Sequence, residues 1–179
     1  MKLRHLFFAC SGVFVMMFSL LLLVVIVFSD EEDGGSGGNL IYGGVSVSQE
    51  VLAHKPMLEK YAREYGIEEY LNVLLAIIQV ESGGTLEDVM QSSESLGLPP
   101  NSLSTEESIK QGCKYFSELL AAAETKGCDL NSVIQSYNYG GGFLDYVAGR
   151  GKKYTFELAE SFARDKSGGK KVTYTNLLR

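Results

Sequence analysis

Tryptophan is absent from this sequence, and histidine, cysteine and proline are scarce: 2 His, 3 Cys and 3 Pro in 179 residues. So few soft or imidazole ligands make zinc ribbons and iron–sulfur scaffolds poor fits, and the same holds for a disulfide-stapled fold. Positive charge is also in deficit, with 16 Lys and Arg against 22 Asp and Glu, which argues against nucleic acid as a partner. No phosphate-binding loop, dinucleotide fingerprint or metal-ligand cluster is present, so neither a cofactor nor a metal is expected.

What is abundant is apolar sequence, and it is unevenly placed. Residues 6–28 form a run of 23 residues without a charge, preceded by Lys2 and Arg4 and followed by Asp30-Glu31-Glu32-Asp33. At 1.5 Å per residue the run spans about 34 Å as a helix, enough to cross a bilayer with some tilt. Basic residues before it and acidic residues after it place the N-terminus in the cytoplasm and the rest outside. A cleaved signal peptide is the competing reading, but its apolar region is shorter and ends in small residues. Val27-Phe28-Ser29-Asp30 is a poor cleavage site, and the run continues far past Cys10, the one cysteine placed for lipidation. The expected organisation is a short cytoplasmic segment at 1–5, a transmembrane anchor at 6–28, an acidic and Gly-rich linker at 29–44, and one domain at 45–179. Gly34-Gly35-Ser36-Gly37-Gly38 suits a flexible tether.

Periodicity in that domain is helical almost throughout, so the fold class is all-α. Val51, Leu52, Leu58, Tyr61, Ala62 and Tyr65 share one face, Pro56 fits a first turn that starts at Lys55, and Gly66 is a stop. Residues 68–81 contain Val73-Leu74-Leu75-Ala76-Ile77-Ile78, apolar nearly all round, the mark of a central buried helix. Ser104-Thr105-Glu106-Glu107 is a capping box that opens a helix to about Lys126, with Gly127 as its stop. Asp129 caps a shorter helix through Tyr137, and residues 143–148 and 155–164 read as two more. No persistent alternation marks a strand. Cys113 lies roughly 18 Å along its helix from Cys128, too far for a disulfide, so two buried free thiols are expected. His54, on an apolar-periodic segment, reads as a packing or surface residue rather than part of a nucleophilic triad.

Glu81 is the candidate with chemical content. It ends the apolar helix and is followed by Ser82-Gly83-Gly84. A partly desolvated carboxyl has a raised pKa, as a general acid near neutral pH requires, and the glycines would leave room for a long substrate. A solvated last-turn glutamate has the same local pattern. Two further polar stretches qualify the choice: residues 90–101, Met90-Gln91-Ser92-Ser93-Glu94-Ser95-Leu96-Gly97-Leu98-Pro99-Pro100-Asn101, irregular enough to line a cleft, and Gln135-Ser136-Tyr137-Asn138-Tyr139-Gly140-Gly141-Gly142, which brings aromatic faces and amides to a helix end. Such groups stack on sugar rings and bond hydroxyl and acetamido groups, although ordinary core packing uses tyrosine as well.

Taken in order, Glu81-Ser82-Gly83-Gly84, Met90-Gln91 and Tyr137-Asn138-Tyr139-Gly140 resemble the signatures of goose-type lysozymes and lytic transglycosylases. A closer resemblance is to the lysozyme-like domain of CwlT-type cell-wall hydrolases of Gram-positive bacteria and their conjugative elements, over about residues 47–176. The resemblance implies a lysozyme-like helical domain and a membrane-anchored muramidase on the wall side of the cell membrane, acting on the β-1,4 bond between N-acetylmuramic acid and N-acetylglucosamine of peptidoglycan. Cell-wall or conjugation-machinery partners go with it. Glu81 would protonate the glycosidic oxygen, while Gln91, Ser93, Tyr137, Asn138 and Gly140 would hold the sugar or orient the acid. The second carboxylate is open between Glu94, which is preferred, and Asp88; without one, the 6-hydroxyl of the sugar would attack, as in lytic transglycosylases.

Relatives commonly carry a cysteine peptidase domain for which this chain has no room, and similar domains continue past Thr173-Tyr174-Thr175-Asn176. A C-terminally shortened domain that binds glycan, or scaffolds a wall complex, without cleaving it is therefore the alternative. Charge is asymmetric: residues 40–149 hold 6 Lys and Arg against 15 Asp and Glu, and residues 150–179 hold 8 against 3. Solvated surfaces account for this, and attraction of the basic end to anionic wall polymers is the sharper reading.

Overall fold

The computed structural model describes residues 40–42 and 45–167. The expected anchor at 6–28, most of the linker and the final residues of the chain lie outside these. Among the described residues no helix is long and apolar enough to cross a membrane.

The chain enters through a two-stranded antiparallel hairpin, β1 (Leu40–Tyr42) and β2 (Val45–Val47), paired Leu40 to Val47 and Tyr42 to Val45. An all-α reading misses it because three residues per strand are too few for alternation to show, and β1 falls inside the stretch read as linker. Among the described residues seven α-helices follow: α1 (Gln49–Ala53), α2 (Lys55–Glu64), α3 (Leu71–Glu81), α4 (Thr105–Lys126), α5 (Leu130–Tyr139), α6 (Gly142–Ala148) and α7 (Phe156–Lys166). Local chemistry sets most of the boundaries. Pro56 occupies the first turn of α2, the Ser104 N–H donates to Glu107 Oε2 at 3.1 Å ahead of α4, and Gly127 follows its last residue. The helix expected from residue 68 starts instead as a 3-10 turn, Glu68–Tyr70, whose Glu68 and Glu69 place negative charge at the N-terminal end of α3.

α3 is the central helix that its composition predicts: Leu74, Leu75, Ala76, Ile77 and Ile78 are wholly buried. Leu58, Tyr61 and Ala62 of α2, Ile109 and Phe116 of α4, and Val133 and Ile134 of α5 close around it. A second, aromatic cluster joins α6 and α7, with Phe143 edge-on to Phe162 at 5.2 Å and Tyr139 stacked on Phe162 at 5.7 Å. Asp129 ties the two clusters together. Its carboxylate caps α5 by accepting from Ser132 N and also accepts from the N–H of Tyr154, 25 residues on. Cys113 and Cys128 are both free thiols. Cys113 is buried and its thiol is pushed up to about 12 by burial, whereas Cys128 is only half-buried and donates weakly to the Leu144 carbonyl at 3.7 Å.

Candidate active site

α3 delivers Glu81 to the floor of a cleft whose walls come from three other places. The turn after Met90 supplies Gln91, Ser92, Glu94 and Ser95, α4 supplies Tyr115, and the end of α5 supplies Tyr137, Asn138, Tyr139 and Gly140. Six of the seven sequence-predicted residues, Glu81, Gln91, Glu94, Tyr137, Asn138 and Gly140, thus line one cavity although 59 positions separate the first from the last. Ser93 does not line it. It is fully buried behind the wall, its N–H donating to Asp88 Oδ2 at 3.2 Å.

Burial pushes the Glu81 carboxyl up to about 8, and the carboxylates of Glu94 and Asp88 push it the same way. The charged form is disfavoured twice over, by the loss of water and by like charge. At pH 7 Glu81 is therefore mostly a protonated acid facing the cleft. Glu94 sits on the exposed rim, its own carboxyl raised by partial burial and by Asp88.

Ser82 fixes the chain that leaves Glu81. Its hydroxyl donates to the carbonyl of Val89 at 2.8 Å and accepts from the N–H of Gly84 at 3.0 Å, folding residues 82–89 into a closed loop. The glycines do not open the cleft to substrate, as the sequence suggested. At Gly84, φ is +77° and a Cβ would lie 2.7 Å from the backbone of Glu50 and Val51, so its lack of a side chain lets the loop lie flat on α1. The Gly84 carbonyl can only accept, so His54 Nε2 donates to it, at 2.9 Å; Ser48 Oγ donates to the Gly83 carbonyl at 3.3 Å. His54 is thus a packing residue that anchors the loop.

Asp88 is the residue whose importance the spacing does not reveal. It is wholly buried, and its carboxylate accepts from Ser92 N at 2.9 Å, Ser93 N at 3.2 Å and Ser108 Oγ at 2.5 Å. Its carbonyl accepts from Gln91 Nε2 at 2.8 Å, and Ser108 Oγ accepts in turn from Met90 N at 2.9 Å. The Met-Gln segment is thereby moulded around one buried carboxylate and pinned to α4. Gln91 adopts a left-handed conformation, φ +44°, at the point where the wall turns. With its oxygens already occupied and no exposure to the cleft, Asp88 is not placed to activate a water there, whereas Glu94 lines the cleft. Tyr115, which the sequence reading did not single out, packs its ring 5.5 Å from that of Tyr137. Among the described residues no group of three or more His, Cys, Asp or Glu side chains is placed to hold a metal ion.

Comparison with known proteins places the chain in a family. The chain is 44% identical over 124 residues to the bifunctional muramidase/DL-endopeptidase CwlT of Bacillus subtilis strain 168, covering 69% of this chain and 37% of that protein. It is 39% identical over 118 residues to the uncharacterized membrane protein YocA of the same strain, covering 65% and 52%. A crystal structure of a Staphylococcus aureus subsp. aureus Mu50 protein, described as similar to lipoprotein, NLP/P60 family, matches with 72% identity and a TM-score of 0.73 over 75% of this chain and 45% of that one. The chain thus spans about half, or less, of the length of these relatives. The lysozyme-like family model matches residues 48–178. The chain belongs to the lysozyme-like family.

Proposed function

We propose that this chain is a glycosidase that cleaves the glycan strand of peptidoglycan at the bond between N-acetylmuramic acid and N-acetylglucosamine. The observation that carries the reading is Glu81: a carboxyl raised to about 8 by burial, at the floor of a cleft walled by tyrosines and amides. The muramidase named among the relatives supports the same substrate.

Glu81 donates its proton to the glycosidic oxygen as the bond breaks through an oxocarbenium-like state. Tyr115, Tyr137 and Tyr139 offer ring faces and edges to the sugars, and Gln91 and Asn138 offer amides to hydroxyl and acetamido groups. Among the described residues Glu94 is the other carboxylate lining the cleft, so we assign it the water-activating role of an inverting mechanism. That mechanism requires a separation of about 6.5–9.5 Å from the acid. Residues 6–28, in this proposal, hold the domain on the outer face of the cell membrane, next to the wall polymer it cuts.

The test is release of soluble glycan from purified peptidoglycan by the full chain in detergent, beside its Glu81→Gln variant. Loss of a positioned general acid is expected to slow cleavage by about 10²–10⁴-fold while binding to the polymer persists. Equal release by both proteins would remove Glu81 from the mechanism. Binding without release by the wild type would favour a glycan-binding role over an enzymatic one.

A further inference from the structure

A second hollow lies behind the cleft, on the far side of the 3-10 turn Ser92–Leu96. The two share a wall. Ser92, Glu94 and Ser95 face the cleft, and Leu96, the next residue, faces the groove. Gln111 Nε2 donates to Ser95 Oγ at 2.8 Å and braces the ridge between them. α4 serves both hollows: Tyr115 lines the cleft, and Gln111, one turn earlier, lines the groove.

The groove has an apolar floor of Tyr65, Leu96 and Leu103, edged by Lys110 and Lys114, which are spaced i, i+4 on α4. Leu96 is 50% exposed, an apolar side chain left in water at the foot of the ridge, where it lines the groove. Residues 40–149 contain only 6 Lys and Arg, and two of them stand here. Neither lysine is firmly committed: Lys110 Nζ lies 3.9 Å from Glu64 and Lys114 Nζ 3.7 Å from Glu118, with all four side chains about half exposed. Such contacts exchange readily for a better acceptor. Glu107, which also borders the groove, directs its carboxylate to Ser104 in the capping box. An apolar floor edged by two ammonium groups fits a short peptide that carries small apolar side chains and carboxylates.

We propose that this groove holds the carboxylate-bearing peptide branch of a glycan strand whose sugars lie in the Glu81 cleft. The inference rests on the glycan reading of the cleft. Muramic acid carries its peptide as a branch from the sugar ring, so a strand in the cleft sends that branch out over a wall. The ridge Ser92–Leu96 is such a wall, and the groove lies directly behind it. The groove then makes the domain selective for strands that still bear peptide, and the ammonium contacts make that selectivity fade with salt.

The experiment gives the full chain in detergent two substrates, peptide-bearing strands and the same strands stripped of peptide. The wild type is expected to show a KM about tenfold lower on the peptide-bearing strands. In the Lys110→Gln, Lys114→Gln double variant that advantage disappears, with kcat on stripped strands unchanged. Equal KM values in the wild type, or an advantage that survives the double substitution, would overturn the groove assignment and leave the glycan reading intact. Cleavage of neither substrate would instead sink the glycan reading. The groove is then decided by titrating Glu81→Gln protein with N-acetylmuramoyl-tetrapeptide. Affinity is expected to drop about tenfold when both lysines are glutamine, and unchanged affinity refutes the peptide site.

Discussion

The phenol of Tyr137 donates to the backbone carbonyl of Met90 at 3.1 Å, joining two cleft segments 47 residues apart. Gly112 of α4 lies against both: a Cβ there would stand 2.5 Å from Met90 Sδ and 2.9 Å from the Tyr137 oxygen. The contact is buried, and burial together with the nearby Glu81 holds the phenol well above its ordinary pKa, so it remains a donor. Tyr137→Phe leaves the Met90 carbonyl without this donor, at a cost of about 1–3 kcal/mol. Urea denaturation should show that loss, and because Met90 adjoins Gln91 the glycan-cleaving rate should fall with it.

Gly83 and Gly84 are adjacent and both have positive φ, yet they should respond differently to alanine. At Gly83 a Cβ would meet nothing nearer than Gln79 Nε2 at 3.9 Å, whereas at Gly84 it would collide with the α1 backbone. Gly83→Ala should cost about 1 kcal/mol of conformational strain. Gly84→Ala should cost clearly more, because α1 or the loop beneath Glu81 must move. Thermal melts of the two variants measure the difference, and equal melting temperatures would contradict the packing described.

Glu81 links stability to pH. Its folded pKa, about 8, lies above its unfolded value, so the unfolded chain releases this proton first as pH rises. Stability is therefore lost between the unfolded carboxyl pKa and about 8, and the loss is complete above that. Glu81→Gln removes the liability. The variant should match the wild type near pH 4 and exceed it at pH 9 in chemical denaturation, while being the weaker catalyst at every pH.

Asp88 acts on the acid without touching the cleft. Its negative charge is one of the two that raise Glu81, so Asp88→Asn should lower the Glu81 pKa and move the alkaline fall of kcat to lower pH. The same substitution turns an amide N–H₂ toward one of three donors, with a stability cost of about 1–3 kcal/mol. Ser108→Ala removes one of those hydrogen bonds but no charge, so it should lower stability and leave the alkaline limb in place. A pH profile unchanged in Asp88→Asn would mean that the carboxylate serves the loop alone.

Much of this was legible in the sequence because it is local. The apolar run of α3, the capping box at Ser104, the proline of α2 and the stop at Gly127 are each decided within a few residues. Glu81, Gln91, Tyr137 and Asn138 stood out because, taken in order, their segments resemble the signatures of goose-type lysozymes and lytic transglycosylases. What stayed hidden is non-local. Tyr115 sits in mid-helix, and only the approach of α5 turns that face of α4 into a cleft wall. Gly84 is required by α1, more than thirty residues earlier, rather than by a substrate. Ser93 lies in the same polar stretch as Gln91 and Glu94, with Asp88 just before it, and a turn that alternates between wall and interior has no sequence period to betray which is which. Six residues of paired strand carry too little pattern to announce a hairpin.

Mass spectrometry of the ends created in purified peptidoglycan tests the central claim most directly. The account predicts new reducing N-acetylmuramic acid ends with the full chain and none with Glu81→Gln. Anhydro-muramic ends that vanish in the variant would keep Glu81 as the acid and replace Glu94 by the sugar's own hydroxyl. Strands left intact by the folded wild-type protein would contradict the assignment.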